Sequence, residues 1–299
     1  MPSDCIEDTL KLKDRLIHAY FWRDGKQAAK SVPEKIVLLF HGLMMHGKTY
    51  NRLARHIAAD NSLVVAPDIR GFGRWYYCSQ DSKNRIDYQK SLDDAIAILE
   101  HLKQTYPQAP RFCIGESLGA HLARRITSIR PDLVDGLILS SPCLRPRMIS
   151  LPLVPHALSE FVYSGLDPSR QINLTPFARK FLQHEPENLE SYLEDPLSRK
   201  SLAVLELIDS VRVTGLLAPE AIPSKKPVLV LRGKNDCVCK HDSFSGFVAS
   251  MKSDNLTIHP CVGCGHLILQ GKELNAKILK VLDDWLKDVS CQYQKNRQD

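Results

Sequence analysis

No stretch of this 299-residue chain approaches the ~20 uninterrupted apolar residues that a membrane-spanning helix needs. The first residues, Met1 to Lys11, carry Asp4, Glu7 and Asp8 and have no apolar core, so they do not read as a signal or transit peptide. There is no internal repeat, which argues against solenoids and propellers, and no low-complexity segment. Basic residues form no run. The 40 Lys and Arg against 34 Asp and Glu leave a net charge of +6 spread along the chain, which argues against a nucleic-acid partner. The nine cysteines are odd in number and scattered, unlike a disulfide framework. A cytoplasmic setting is expected, with peripheral contact to a membrane left open. Oligomeric state leaves no mark. Disorder is excluded by content: hydrophobic residues make up 43% and charged residues 25%, enough for a sizeable core.

What is present is alternation. Leu16 to Trp22 is rich in β-formers and precedes a turn at Arg23-Asp24-Gly25, which reads as an early antiparallel strand. Short continuous apolar runs follow at Lys35 to Phe40, Leu63 to Ala66, Arg111 to Ile114, Val134 to Leu139, Val228 to Leu231 and Leu256 to Cys261. Such runs suit parallel strands buried on both faces. Between them lie helical faces: Tyr50, Leu53, Ala54, Ile57 and Ala58; Tyr88, Leu92, Ala95, Ile96, Leu99 and Leu102; Leu118, Leu122, Ile126 and Ile129; and Leu274, Ile278, Val281, Leu282 and Trp285. The pattern predicts an α/β fold with a mostly parallel central sheet and helices on both faces. From about 144 to 226 the chain is helical and punctuated by proline, with no convincing strand. It is expected to be a helical cap inserted over the carboxyl edge of a core made of 1–143 and 227–299.

Gly115-Glu116-Ser117-Leu118-Gly119 fits G-x-S-x-G, follows an apolar run and opens a helical one. Flanking glycines let neighbouring backbone approach a strained turn, and the helix start aims N–H groups at the serine. A helix-capping serine is the plainer alternative. A hydroxyl needs a base to take its proton and a carboxylate to orient that base. In this fold they follow in the order Ser, acid, His. Asp236, in the loop after Val228 to Leu231, is the expected acid, with Asp242 as runner-up and a loop-capping role as the alternative. His266, after the last strand, is the expected base, with His241 and His259 as rivals. The two oxyanion donors are expected to be the backbone N–H groups of Leu118 and Leu43. This chemistry needs no metal or organic cofactor.

His41-Gly42-Leu43-Met44-Met45-His46-Gly47 resembles the oxyanion loop of the monoacylglycerol lipase and lysophospholipase-like α/β hydrolases, also labelled serine aminopeptidase S33-like. Asp68-Ile69-Arg70-Gly71-Phe72-Gly73 is similar to their D-x-R-G-x-G loop. Gly115 to Gly119, Asp195-Pro196-Leu197, Gly233 to Asp236 and Gly265-His266 fall where that family has its own motifs. The resemblance runs from about Ile36 to Leu286. It implies an α/β-hydrolase fold with a helical cap, and a serine esterase acting on small-molecule acyl esters of monoacylglycerol or lysophospholipid type. A peptidase, a thioesterase, an acyltransferase or a non-catalytic binding protein on the same frame stay open. Met44-Met45 replace the usual Gly-Glu, Arg74-Trp75 replace a small or hydroxyl residue, and Ala120 replaces a glycine; the first two pairs are expected near the entrance.

Two features are not absorbed by this reading. Cys237 and Cys239 follow the acid, and Cys261 and Cys264 precede the histidine, so a four-thiolate zinc site stands against separate packed thiols. The apolar stretch Met148 to Val162 is open to three roles: lining an acyl channel, touching a membrane, or packing the cap.

Overall fold

The computed structural model describes residues 5–12, 15–24, 32–78, 85–142, 169–216, 221–239, 241–271 and 273–297. Ten strands follow in chain order: β1 Cys5–Leu12, β2 Arg15–Trp22, β3 Ile36–Phe40, β4 Leu63–Pro67, β5 Arg111–Glu116, β6 Gly136–Ser140, β7 Gln171–Asn173, β8 Ser201–Ala203, β9 Val228–Gly233 and β10 Leu256–Cys261. Eight of them make one sheet in the order β1-β2-β4-β3-β5-β6-β9-β10. β1 and β2 pair antiparallel, as do β2 and β4; the remaining pairings are parallel.

The apolar runs explain the centre. β3, β4, β5 and β6 are buried at every residue, as parallel strands covered on both faces must be. Side chains alternate between faces. Ile36, Leu38 and Phe40 point to one side, where they join α2 (Tyr88–Thr105), α3 (Leu118–Ile129) and α7 (His241–Met251) through Leu92, Leu122 and Phe247. Val37 and Leu39 point to the other, against α1 (Asn51–Ala58) and α8 (Ala276–Lys295) through Leu53, Ile57, Ile278 and Leu282. Asp87 caps α2 by accepting from the Lys90 N–H at 2.8 Å, and Asn275 caps α8 by accepting from Lys277 at 3.0 Å.

Between β6 and β9 the described residues form α4 (Thr175–Phe181), α5 (Pro186–Glu194) and α6 (Val204–Val211). No strand is expected there, yet β7 and β8 pair antiparallel. Three-residue strands are too short to carry a period of two. β1 also escapes the sequence reading, because an edge strand with mostly exposed residues shows no apolar run. α8 continues to Lys295, well past Trp285, burying Val289 one further turn along the same face. Among the described residues no helix is long and apolar enough to cross a membrane. The stretch Met148 to Val162 lies outside them.

Candidate active site

β5 ends at Glu116 and α3 starts at Leu118, so Ser117 occupies the whole turn. Its backbone is strained, with φ 55° and ψ −115°. Such a conformation costs about 1–3 kcal/mol in a non-glycine residue and persists only when its surroundings enforce it. Here they do. The Ser117 N–H donates to the Ser140 carbonyl at 2.9 Å, and the Ala120 N–H donates to the Ser117 carbonyl at 3.1 Å. A Cβ on Gly119 would lie 2.1 Å from the Phe40 carbonyl oxygen, and one on Gly115 would lie 2.1 Å from that of Gly119. The elbow therefore closes only with glycine at both positions.

Asp236 lies in the turn after β9. Its Oδ1 accepts from the backbone N–H groups of Val238 at 2.7 Å and Cys239 at 3.0 Å. Its Oδ2 accepts from His266 Nδ1 at 2.9 Å. The loop-capping role and the imidazole contact are thus carried by different oxygens of one carboxylate. On the far side of the ring, Nε2 accepts from the Ser117 hydroxyl at 2.8 Å. His266 is 5% exposed. Burial pushes its pKa down. The charge and hydrogen bond of Asp236, with Glu116 and Glu185 behind them, outweigh that and raise it to about 9. Burial likewise pushes Asp236 up, but the His266 charge and the three hydrogen bonds bring it below the ordinary carboxylate value.

The structure therefore brings Ser117, His266 and Asp236 into one hydrogen-bonded chain. It does not bring the rivals there. Asp242 is exposed on α7, and His259 lies on the edge strand β10. The side chain of His241 is outside the described residues.

Leu43 and Leu118 flank Ser117 and His266 in the wall of one cavity of about 130 Å³. As the first residue of α3, Leu118 has an N–H with no carbonyl inside the helix to bond. The loop bearing Leu43 is held at both ends. His41 is buried, and burial drives its pKa down to about 3. The neutral ring donates from Nδ1 to the Gly42 carbonyl at 2.8 Å and accepts the Ile69 N–H on Nε2 at 2.9 Å. Downstream, the Arg199 N–H donates to the Met44 carbonyl at 2.8 Å, and His46 Nε2 meets Asp195 Oδ2 at 2.6 Å. The motif aspartate Asp68 accepts from the N–H groups of Gly47 and Arg74 at 2.8 and 2.9 Å.

Among the described residues the cavity wall is almost wholly apolar, with Met44 and Met45 from the core and Leu174, Phe177, Phe181 and Leu182 from the inserted segment. Arg74 and Trp75 are not among the residues that line it. Arg74 lies over the Tyr20 ring and bonds the Ala19 carbonyl at 2.7 Å, while Trp75 packs on His18, so both brace β2. Among the described residues no group of three or more His, Cys, Asp or Glu side chains is arranged to hold a metal ion. Among the described residues Cys237, Cys239, Cys261 and Cys264 form no disulfide, and their thiols turn to the backbone carbonyls of Asn235, Pro142, His259 and Val262 respectively.

The sheet order, the strained elbow and the sequence of elements define an α/β hydrolase. Within that class the chain belongs to the serine aminopeptidase S33 family, whose model matches residues 31–273. A monoglyceride lipase homologue of Monkeypox virus is 24% identical over 294 residues, covering 96% of this chain and 98% of the viral one. The monoglyceride lipase of Mus musculus is 24% identical over 295 residues, covering 96% and 91%. Among solved structures, the monoacylglycerol lipase of Paleococcus ferrophilus shares the fold with a TM-score of 0.69 at 23% identity, over 91% of this chain and 99% of that one.

Sequence reasoning passed over Glu185, which bonds the backbone N–H of His266 at 2.6 Å. It lies in no motif, and its proximity to His266 arises only when the inserted segment folds back over the core.

Proposed function

We propose that this protein is a carboxylic ester hydrolase in which Ser117, His266 and Asp236 form a catalytic triad. The observation that carries this reading is the unbroken chain from the Ser117 hydroxyl to His266 Nε2 at 2.8 Å and from His266 Nδ1 to Asp236 at 2.9 Å, set on a strained elbow. Ser117 Oγ attacks the ester carbonyl carbon while His266 Nε2 takes the hydroxyl proton. The tetrahedral oxyanion accepts from the backbone N–H groups of Leu43 and Leu118, a contribution of about 3 kcal/mol per donor in such sites. The intermediate collapses, the His266 proton passes to the departing alcohol, and the acyl group stays on Ser117. Water attacks the acyl-enzyme while giving a proton to His266, and His266 passes that proton to Ser117 Oγ as the acid leaves. Asp236 stays ionised throughout and fixes the ring's orientation.

The substrate is a small acyl ester of monoacylglycerol or lysophospholipid type. Support comes from the apolar cavity beside Ser117, which suits an acyl chain, and from the monoglyceride lipases to which the chain is similar. The cap is the insertion at 144–226, whose described residues between Leu174 and Thr214 wall this cavity, and the cap is the surface through which the protein would meet a membrane.

The test is a fluorophosphonate probe with activity on p-nitrophenyl esters, aminoacyl anilides and acyl-CoA. Wild type is expected to label and to prefer esters, and Ser117→Ala to lose both. A folded wild type that neither labels nor cleaves esters overturns the reading. Preference for anilides or acyl-CoA replaces esterase by peptidase or thioesterase.

A further inference from the structure

The backbone N–H groups of His266, Leu267, Ile268 and Leu269 all end on carboxylates. His266 and Leu267 donate to Glu185 Oε1 and Oε2 at 2.6 and 3.1 Å. Ile268 and Leu269 donate to Glu116 Oε1 at 2.7 and 2.9 Å. Neither carboxylate touches the reacting atoms. We infer that Glu116 and Glu185 are positioning residues that clamp the histidine loop from two sides and hold the His266 ring on the Ser117 hydroxyl. The inference rests on the reading of His266 as the general base.

Glu116 is fully buried and directly precedes Ser117. Besides the two loop N–H groups, its Oε1 accepts from the Ser140 hydroxyl at 2.8 Å, and its Oε2 accepts from Gln270 Nε2 at 2.7 Å and from the Tyr50 hydroxyl at 3.5 Å. Every one of these partners is a neutral donor. A buried carboxylate met only by dipoles is costly to desolvate, so hydrogen bonds must hold it. Those bonds join the elbow, β6 and the histidine loop into one body. The separation of Oγ from Nε2 is then set by a rigid link and does not depend on the conformation of a free loop.

Glu185 reaches the loop from the opposite side, out of the inserted segment just before α5. Asn188 Nδ2 bonds its Oε2 at 2.9 Å and the Leu267 carbonyl at 3.4 Å, fixing the carboxylate against the loop. The space it fills is one that a side chain at 265 would occupy: a Cβ on Gly265 would lie 2.1 Å from Glu185 Oε1. Glycine at this position is what admits the clamp.

The two carboxylates also act through charge. The ionisable groups facing His266 are Asp236 from the β9 loop, Glu116 from β5 and Glu185 from the insertion, and all three favour its protonated form. Glu116 is itself faced by Tyr50 on the α1 side and by Cys261 and Cys264 at the end of β10, each pushed up in part by its charge. Burial pushes Glu116 up while its donors oppose the shift.

The test uses the full chain with Glu185→Ala, Glu185→Gln and Glu116→Gln, and Glu187→Gln as an exposed neighbour outside the clamp. Glutamine offers one acceptor oxygen and turns an NH2 toward a donor. For a p-nitrophenyl ester, kcat is expected to fall roughly 10- to 100-fold in the clamp variants with KM within about twofold, because misplacement of a reacting group by ~1 Å costs on that order. The rising limb of the kcat/KM–pH profile is expected to move to lower pH in Glu116→Gln, where the charge is removed and the shape kept. A merely structural role would lower the folded fraction, read by circular dichroism, and leave kcat per folded molecule and the pH limb in place. If Glu116→Gln does not fold, the more accessible Glu185 pair decides. Folded variants with wild-type kcat and an unmoved limb overturn the inference. A wild type inactive on esters and blind to fluorophosphonate sinks instead the triad reading on which it rests.

Discussion

His46 Nε2 stands 2.6 Å from Asp195 Oδ2, and this contact ties the loop after β3 to the segment inserted after β6. His46 is 3% exposed, and among the described residues its Nδ1 has no hydrogen-bond partner, so Asp195 is what satisfies the ring. On the other side, burial raises Asp195 while the His46 hydrogen bond and charge lower it further, leaving a net depression. Asp195→Ala removes the last partner of a buried imidazole, at a cost of about 1–3 kcal/mol. It also loosens the His46 end of the loop that carries Leu43, while the Arg199 N–H still holds the Met44 carbonyl. A fall in kcat of roughly tenfold or more is expected, alongside a lower Tm. In a double-mutant cycle with His46→Ala the stability effects should be non-additive by at least about 0.5 kcal/mol. Additive effects would show that the contact does not couple the two segments.

The two candidate acids are separated by one experiment. Asp236→Asn keeps the shape of the turn but can leave His266 in the wrong tautomer, and a drop in kcat of about 10⁴-fold is expected. Asp242→Asn, on the exposed face of α7, should leave kcat within about twofold, as surface changes away from such features usually do. Equal losses in the two variants would remove Asp236 from its assigned role.

The site was legible in the sequence where chemistry is tied to backbone. Ser117 and Asp236 each follow a buried apolar run, and apolar runs are what fix the ends of parallel strands; His266 follows β10, an edge strand with one buried residue, and was reached through its place after the last strand. The fold was legible for the same reason: β3 to β6 are buried on both faces, so their composition alone betrays them. What stayed hidden depends on tertiary return. β1 is an exposed edge, β7 and β8 are too short for a period, and Glu185 meets His266 across 81 residues of chain. The contacts of Arg74 and Trp75 with β2 stayed hidden too, because those neighbours are set by strand pairing, which local motif spacing does not report.

Activity and stability should respond to pH in opposite directions around His266. Its folded pKa, about 9, lies above the ordinary 6.5, so the protonated ring is favoured by folding. The resulting stability is fully present below 6.5 and is lost as pH rises through about 9. Asp236 describes the same pair from the acid side: its pKa is depressed below 3.8, so its stabilisation is present above that value and lost as pH falls through the folded value. A general base must be neutral, so kcat/KM should climb with pH along a limb lying above 6.5. The Tm difference between wild type and His266→Gln should shrink over the same interval. A limb centred at or below 6.5 would show that the Asp236, Glu116 and Glu185 charges do not outweigh burial.

The cavity wall offers control over chain length. Ala178 is on α4, 4% exposed, and lines the apolar cavity beside Leu174, Phe177 and Leu182. A tryptophan there would take up space along this apolar wall, and Ala178 belongs to no part of the Ser117–His266–Asp236 chain. Each methylene kept from burial forfeits about 0.8 kcal/mol, so excluding four of them costs about 3 kcal/mol, or roughly 10²-fold in rate. Ala178→Trp should therefore cut kcat/KM for p-nitrophenyl octanoate and longer esters by 10- to 100-fold, while p-nitrophenyl acetate stays within about twofold. Leu205→Trp, at an exposed position on α6, serves as the control for a bulky substitution in the same segment. A uniform loss across all chain lengths in Ala178→Trp would mean that the acyl chain lies elsewhere and that this cavity serves packing. A length-dependent loss would place the acyl chain in the groove between the Leu43 loop and the inserted helices, the one arrangement in which the cap residues select the substrate and the core residues cleave it.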